Sequence, residues 1–119
     1  MRTLSGLVVI VLVMGLLAGH AEAKRAAPKD VPPVTRDGVV YSAPHDQMGC
    51  VVAKDEKTGK VLWTAKVYEV KYDHNLEKDV QDVFITELRF ADGKLIVSNE
   101  KGGQYELDPA TQAVKVLKG

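Results

Sequence analysis

Lys54-Asp-Glu-Lys-Thr-Gly-Lys-Val-Leu-Trp63 is the stretch that decides how this chain folds. Asp55 and Thr58 supply side-chain acceptors for nearby amides, and Gly59 tolerates a positive φ, so the polar segment reads as a turn. Upstream, Gly49-Cys-Val-Val-Ala-Lys54 is an apolar run that enters the turn as a strand. Downstream, Val61, Trp63, Ala65 and Val67 recur at period two, which places them on one face of an exit strand. The two runs and the turn form a hairpin, with Gly59 expected in the left-handed region.

The same design returns later in the chain. Gly38-Val-Val-Tyr-Ser42 is echoed by Gly93-Lys-Leu-Ile-Val-Ser98, and Gly49-Cys-Val-Val-Ala-Lys-Asp55 by Gly102-Gly-Gln-Tyr-Glu-Leu-Asp108. Asp55-x-x-Thr58-x-x-Val61 is matched by Asp108-x-x-Thr111-x-x-Val114, although Gln112 stands where the first copy has glycine. Two copies of a strand, hairpin, strand unit are the trace left by a repeated β-meander.

The pattern Ala53-x-Asp55-x-x-Thr58-Gly59-Lys60-x-x-Trp63 resembles the blade repeat of the PQQ-like (quinoprotein-type) β-propellers. The resemblance implies structural roles: Asp55, Thr58, Gly59 and Lys60 shape the turn, Trp63 wedges between sheet layers, and Asp108 and Thr111 serve the second copy. In that family the quinone cofactor needs a complete propeller with a central funnel, so no cofactor is implied for this chain.

Between the copies, Val67-Tyr-Glu-Val70 is expected to prolong the exit strand. Val83 to Phe90 reads as another strand, with Phe84, Leu88 and Phe90 on one face, and Asp92-Gly93 as a tight hairpin into Leu95-Ile-Val-Ser98. Tyr105 to Leu107 and Val114 to Leu117 complete the set. The expected fold is all-β: a small antiparallel meander of about seven strands in two blade-like repeats. Its edges are covered by closure into a barrel or sandwich, or by pairing with a second copy as a homodimer.

The chain of 119 residues opens with Met1-Arg-Thr, an apolar run from Leu7 to Leu17 and the small-x-small site Ala21-Glu-Ala23. This is the anatomy of a secretory signal peptide over residues 1–23, with Lys24 as the first mature residue. An uncleaved membrane anchor is the alternative. His20 occupies the place of a lipidated cysteine, so no acyl anchor is expected. Residues 24–37 contain Pro28, Pro32 and Pro33 and read as an extended linker, leaving 38–119 as the folded domain. The expected location is the periplasm or outside the cell.

Sixteen Lys and Arg balance sixteen Asp and Glu. No basic surplus exists to neutralise phosphates, which argues against nucleic acid as a partner. No polybasic tract would hold the processed chain on an anionic membrane. Cys50 is the one cysteine, so no internal disulfide forms, and its place before Val51 and Val52 predicts a buried thiol.

The sequence carries no nucleophile elbow and no glycine-rich phosphate loop, and neither His45 nor His74 has a partner spacing that suggests a general base. An enzyme is not expected. His45-Asp-Gln-Met48-Gly-Cys50 gathers imidazole, thioether and thiol within one loop, a soft ligand set suited to copper. Asp73-His-Asn-Leu-Glu-Lys-Asp79 alternates oxygen ligands, but Lys78 and Phe84 stand where a calcium-binding hand needs glycine and glutamate. Asp73 or Asn75 capping one helical turn, with Leu76, Val80 and Val83 facing the sheet, fits better. The sequence therefore points to a non-catalytic binding or assembly module of the cell envelope with a protein partner there. The alternative is a periplasmic copper-binding protein using His45, Met48 and Cys50.

Overall fold

A computed structural model describes residues 29–119. The segment read as a signal peptide and the start of the proline-rich stretch lie outside the described residues. The described residues are all-β apart from one helical turn. Sheet 1 holds β1 (Val34–Arg36), β2 (Val39–Ser42), β3 (Cys50–Asp55) and β4 (Val61–Lys66), and sheet 2 holds β5 (Ile85–Ala91), β6 (Lys94–Asn99), β7 (Gln104–Leu107) and β8 (Val114–Lys118). Each sheet is an antiparallel meander with its strands in chain order, and the two do not close into a barrel.

β1 is the eighth strand, and it lies inside the stretch read as a tether. Asp37 (φ 51°) and Gly38 (φ 77°) turn the chain from β1 into β2, just as Asp92 (φ 51°) and Gly93 (φ 78°) join β5 to β6. Both central residues have positive φ, the geometry that matches the right-handed twist of the flanking strands. Val31 is buried in the core and Val34 packs against it, so the folded part starts before Gly38.

The second pair of hairpins is also alike, sharing three of its turn bonds, with a further bond from the Thr58 amide in the first. Asp55 Oδ1 accepts from the Lys57 and Thr58 amides (2.9 and 3.0 Å), the Gly59 amide donates to the Asp55 carbonyl (2.8 Å), and Thr58 Oγ1 accepts from the Lys60 amide (3.2 Å). In the other sheet Asp108 Oδ1 accepts from the Ala110 amide (2.9 Å), the Gln112 amide donates to the Asp108 carbonyl (2.7 Å), and Thr111 Oγ1 accepts from the Ala113 amide (3.2 Å). Gly59 has φ 74° and Gln112 has φ 63°, so the glutamine occupies the left-handed position that glycine fills in the first copy.

One core lies between the sheets: Tyr41, Val51, Ala53 and Ala65 from sheet 1 meet Leu88, Leu95, Val97 and Leu107 from sheet 2. Tyr41 bridges it, edge-on to Phe90 at 5.3 Å and tilted against Trp63 at 5.9 Å. The cross-strand register shows which side of each sheet points inward. In sheet 1 the pairs Tyr41↔Ala53 and Ala53↔Trp63 face the core; in sheet 2 the pairs Leu95↔Leu107 and Leu107↔Val114 do so. Counted from the matching aspartates, Leu107 corresponds to Lys54 and Glu106 to Ala53. Lys54 and Glu106 point away from the core, so the two like-built sheets present opposite sides to one another. The packing is head to tail.

Three expectations about local structure change. A bulge pairs Val61 with the outward Lys54, so Val61 leaves the Trp63–Ala65 face and is 52% exposed. β4 ends at Lys66, because the Val67 and Tyr68 amides turn back to the Gly49 carbonyl. The helical turn, α1 (Lys78–Gln81), starts after Glu77 and has no side-chain cap. Leu76 and Val80 are exposed there and do not face a sheet. Gln81 holds the loop instead, accepting from the Asp73 amide and donating to the Asp73 and Glu77 carbonyls.

Candidate interaction surface

The sheets approach most closely where β1 meets β5, and there Arg36 lies over the Phe90 ring at 4.8 Å. The opposite ends of the sheets, β4 and β8, are edge strands with one neighbour each among the described residues. Here the mutual cover gives out. Val116 shares the inward side with its cross-strand partner Tyr105, yet is 60% exposed, and Leu62 and Leu117 are also open to solvent. Every residue of β8 is exposed. Buried side chains concentrate in the inner strands β3 and β6, while the edge strand β4 keeps one and β8 none.

The outward faces differ in character. Sheet 1 turns Lys54, Thr64 and Lys66 to solvent, and sheet 2 turns Arg89, Lys94, Glu106 and Lys115 outward. Val52 and Ile96 are the apolar residues at the middle of these faces, and both are buried among their neighbours. Charged outer faces keep a stacked pair of like-built units from recruiting more of the same. Apolar side chains stand open at the edges, as Leu76 and Val80 do in the connection, and only at the edges does a row of strand main-chain donors and acceptors also lack a strand partner among the described residues.

At the other end, Gly49 and the residues after β4 close the core. A Cβ at Gly49 would fall on the Tyr68 carbonyl oxygen, and Gly49 has φ 71°, so neither shape nor backbone admits another residue. Tyr68 stacks on Tyr105 at 5.2 Å and donates to the Val83 carbonyl. Burial pushes its phenol well above the usual value, with Tyr105 and Glu100 adding to the shift.

His45 and Met48 line one crevice with no room for a water molecule, walled by Phe84 and Ile85. The His45 ring leans on Phe84 at 4.9 Å; its Nδ1 lies 3.9 Å from an Asp30 carboxylate oxygen, and its buried Nε2 has no hydrogen-bond partner. Cys50 is half-buried, outside that crevice, and its thiol donates to the Met48 carbonyl at 3.5 Å. His45 and Met48 thus share a crevice, and Cys50 follows them at the start of β3. Among the described residues no three His, Cys, Asp or Glu side chains group as metal ligands. His74 is exposed in the connecting loop.

The structural-motif residues fall where the turns are. Asp55, Thr58, Gly59 and Lys60 make one, Asp108 and Thr111 the other, and Ala53 and Trp63 pair across β3 and β4. The Asp55 carboxyl is held below the usual carboxylate range by the Thr58 and then the Lys57 amide. Sequence reading missed the open edges, and the signal was present: Val116 and Leu117 sit beside Lys115 and Lys118, the charge-studded pattern of an edge strand. No protein-family model matches the chain, and no curated protein matches it.

Proposed function

We propose that this chain is an exported, non-catalytic binding module of the cell envelope that takes a protein partner along its β4 and β8 edges. One observation carries the reading: large apolar side chains stand open at these edges while both outer faces are charged. Open apolar side chains beside unpaired main-chain groups suit protein association better than small-molecule chemistry. The export step rests on the apolar run from Leu7 to Leu17 and on Ala21-Glu-Ala23. The two matched turns support reading the sheets as a pair of blade-like units similar to the PQQ-like propeller repeat. In that reading the Asp-x-x-Thr turns are scaffold.

A photo-crosslinking residue placed at Val116 or Leu62 in producing cells tests this. The expected result is a discrete adduct from the edge positions and none from Lys54, on the outer face of sheet 1. Absence of any discrete adduct at the edges, or equal labelling from Lys54, refutes the module.

A further inference from the structure

Resting on that reading, we infer that the partner engages β8 as an added β-strand: an extended peptide segment that alternates apolar and acidic residues. Among the described residues β8 pairs with β7 on one side only, and up to the register shift that skips Leu117 the register alternates its side chains between the two faces. Val114 and Val116, opposite Leu107 and Tyr105, lie on the side that continues the core. Lys115 and Lys118, opposite Glu106 and Gln104, lie on the outer side. From Val114 to Val116 a strand laid along β8 therefore meets a period-two surface, apolar on one face and cationic on the other, with Lys118 returning to the cationic face after the shift.

Charge chooses among the occupants of such an edge. β8 holds two lysines and no acidic residue, so a second β8 would bring four ammonium groups into one pairing. Like charges across a ladder are destabilising, and edge lysines are a recognised guard against self-pairing. The same lysines attract carboxylates. Glutamate opposite Lys115, with valine or leucine opposite Val114 and Val116, satisfies both faces of β8 at once. Main-chain hydrogen bonds supply affinity, and the alternating side chains supply selection.

The test uses the protein as isolated from the cells that produce it and a short synthetic peptide alternating valine and glutamate. A valine–lysine peptide and a valine–glutamate peptide interrupted by a central proline serve as comparisons. Amide shifts and hydrogen-exchange protection are followed residue by residue. The expected result is protection gained at Val114 and Val116, binding about tenfold weaker for the lysine peptide, and weakening with salt. Lys115→Glu combined with Lys118→Glu should reverse the preference between the two peptides. Shifts spread over the outer faces, equal binding of both peptides, or an unaltered preference in the double variant overturns strand addition. If no peptide protects β8 while Val116 still crosslinks a partner in cells, acidic strand addition falls and the binding module stands. If the peptide adds to β8 but no cellular adduct forms, the module falls and the strand chemistry stands.

Discussion

Replacing Gly59 with alanine measures backbone strain almost alone. Gly59 has φ 74°, and nothing stands within 4 Å of where its Cβ would be, so an added methyl meets no neighbour. The remaining cost is that of an L-residue in the left-handed region, about 1–2 kcal/mol. Gln112, in the matching turn at φ 63°, already bears that cost. Its side chain also donates to the Pro109 carbonyl at 2.8 Å, a bond worth about 0.5–1.5 kcal/mol. Gln112→Gly relieves the strain and loses the bond, so its net effect is small. Gln112→Ala loses the same bond and keeps the strain. The difference between those two variants isolates the backbone and should equal the loss in Gly59→Ala to within about 0.5 kcal/mol. Urea unfolding reads all three; at roughly 1 kcal/mol per molar, Gly59→Ala lowers the midpoint by about 1–2 M. If Gln112→Gly and Gln112→Ala unfold together while Gly59→Ala loses more than about 1 kcal/mol, the two turns are not energetically equivalent. The structural matching of the sheets then carries no energetic meaning.

Gly49→Ala should cost more than Gly59→Ala, about 2–4 kcal/mol, because it adds a clash with the Tyr68 carbonyl to the strain; equal losses would refute the close approach. Trp63→Ala should lose about 2–3 kcal/mol in thermal or urea unfolding, less than for a fully buried tryptophan, since Trp63 is half-buried against Tyr41. Acid unfolding reports on Asp55, whose folded pKa is depressed by amide hydrogen bonds. Its contribution is complete above the unfolded value near 4 and is lost as pH falls through the lower folded value. Asp55→Asn should therefore flatten the stability profile below about pH 4, and an unchanged acid slope would show that the amides do not favour the carboxylate. Exported protein should begin at Lys24 by N-terminal sequencing; intact Met1 in a membrane fraction would refute processing at Ala23.

Local chemistry in the sequence spoke plainly wherever it was backbone chemistry. Asp92-Gly93, the Asp-x-x-Thr turns and the positive φ at Gly59 follow from what those residues tolerate, independent of the rest of the molecule. Strand boundaries were less accessible. Asp37-Gly38 carries the same turn signal as Asp92-Gly93, but the prolines around it masked β1. Val61 fits the alternating pattern on paper, yet a bulge, which no periodicity encodes, turns it outward. The head-to-tail packing was hidden for a different reason. Matching Leu107 with Lys54 looks like a failed repeat until the register shows that one faces inward and the other outward.

Residues 67–84 join the two sheets, and much of this connection, from Glu69 to Gln81, is exposed or only half-buried. The sheets otherwise hold together through side chains, since no strand of one hydrogen-bonds to a strand of the other. Such an arrangement is suited to reciprocal exchange. Sheet 1 of one molecule can dock on sheet 2 of another and recreate every core contact, with only the connection re-routed. Concentrated protein refolded quickly would then trap intertwined pairs that separate only as fast as the core opens, and dilution alone would not release them. Opening requires breaking the Tyr68–Tyr105 stack and the Tyr68 bond to Val83, which places the latch of the exchange at one aromatic residue beside the hinge.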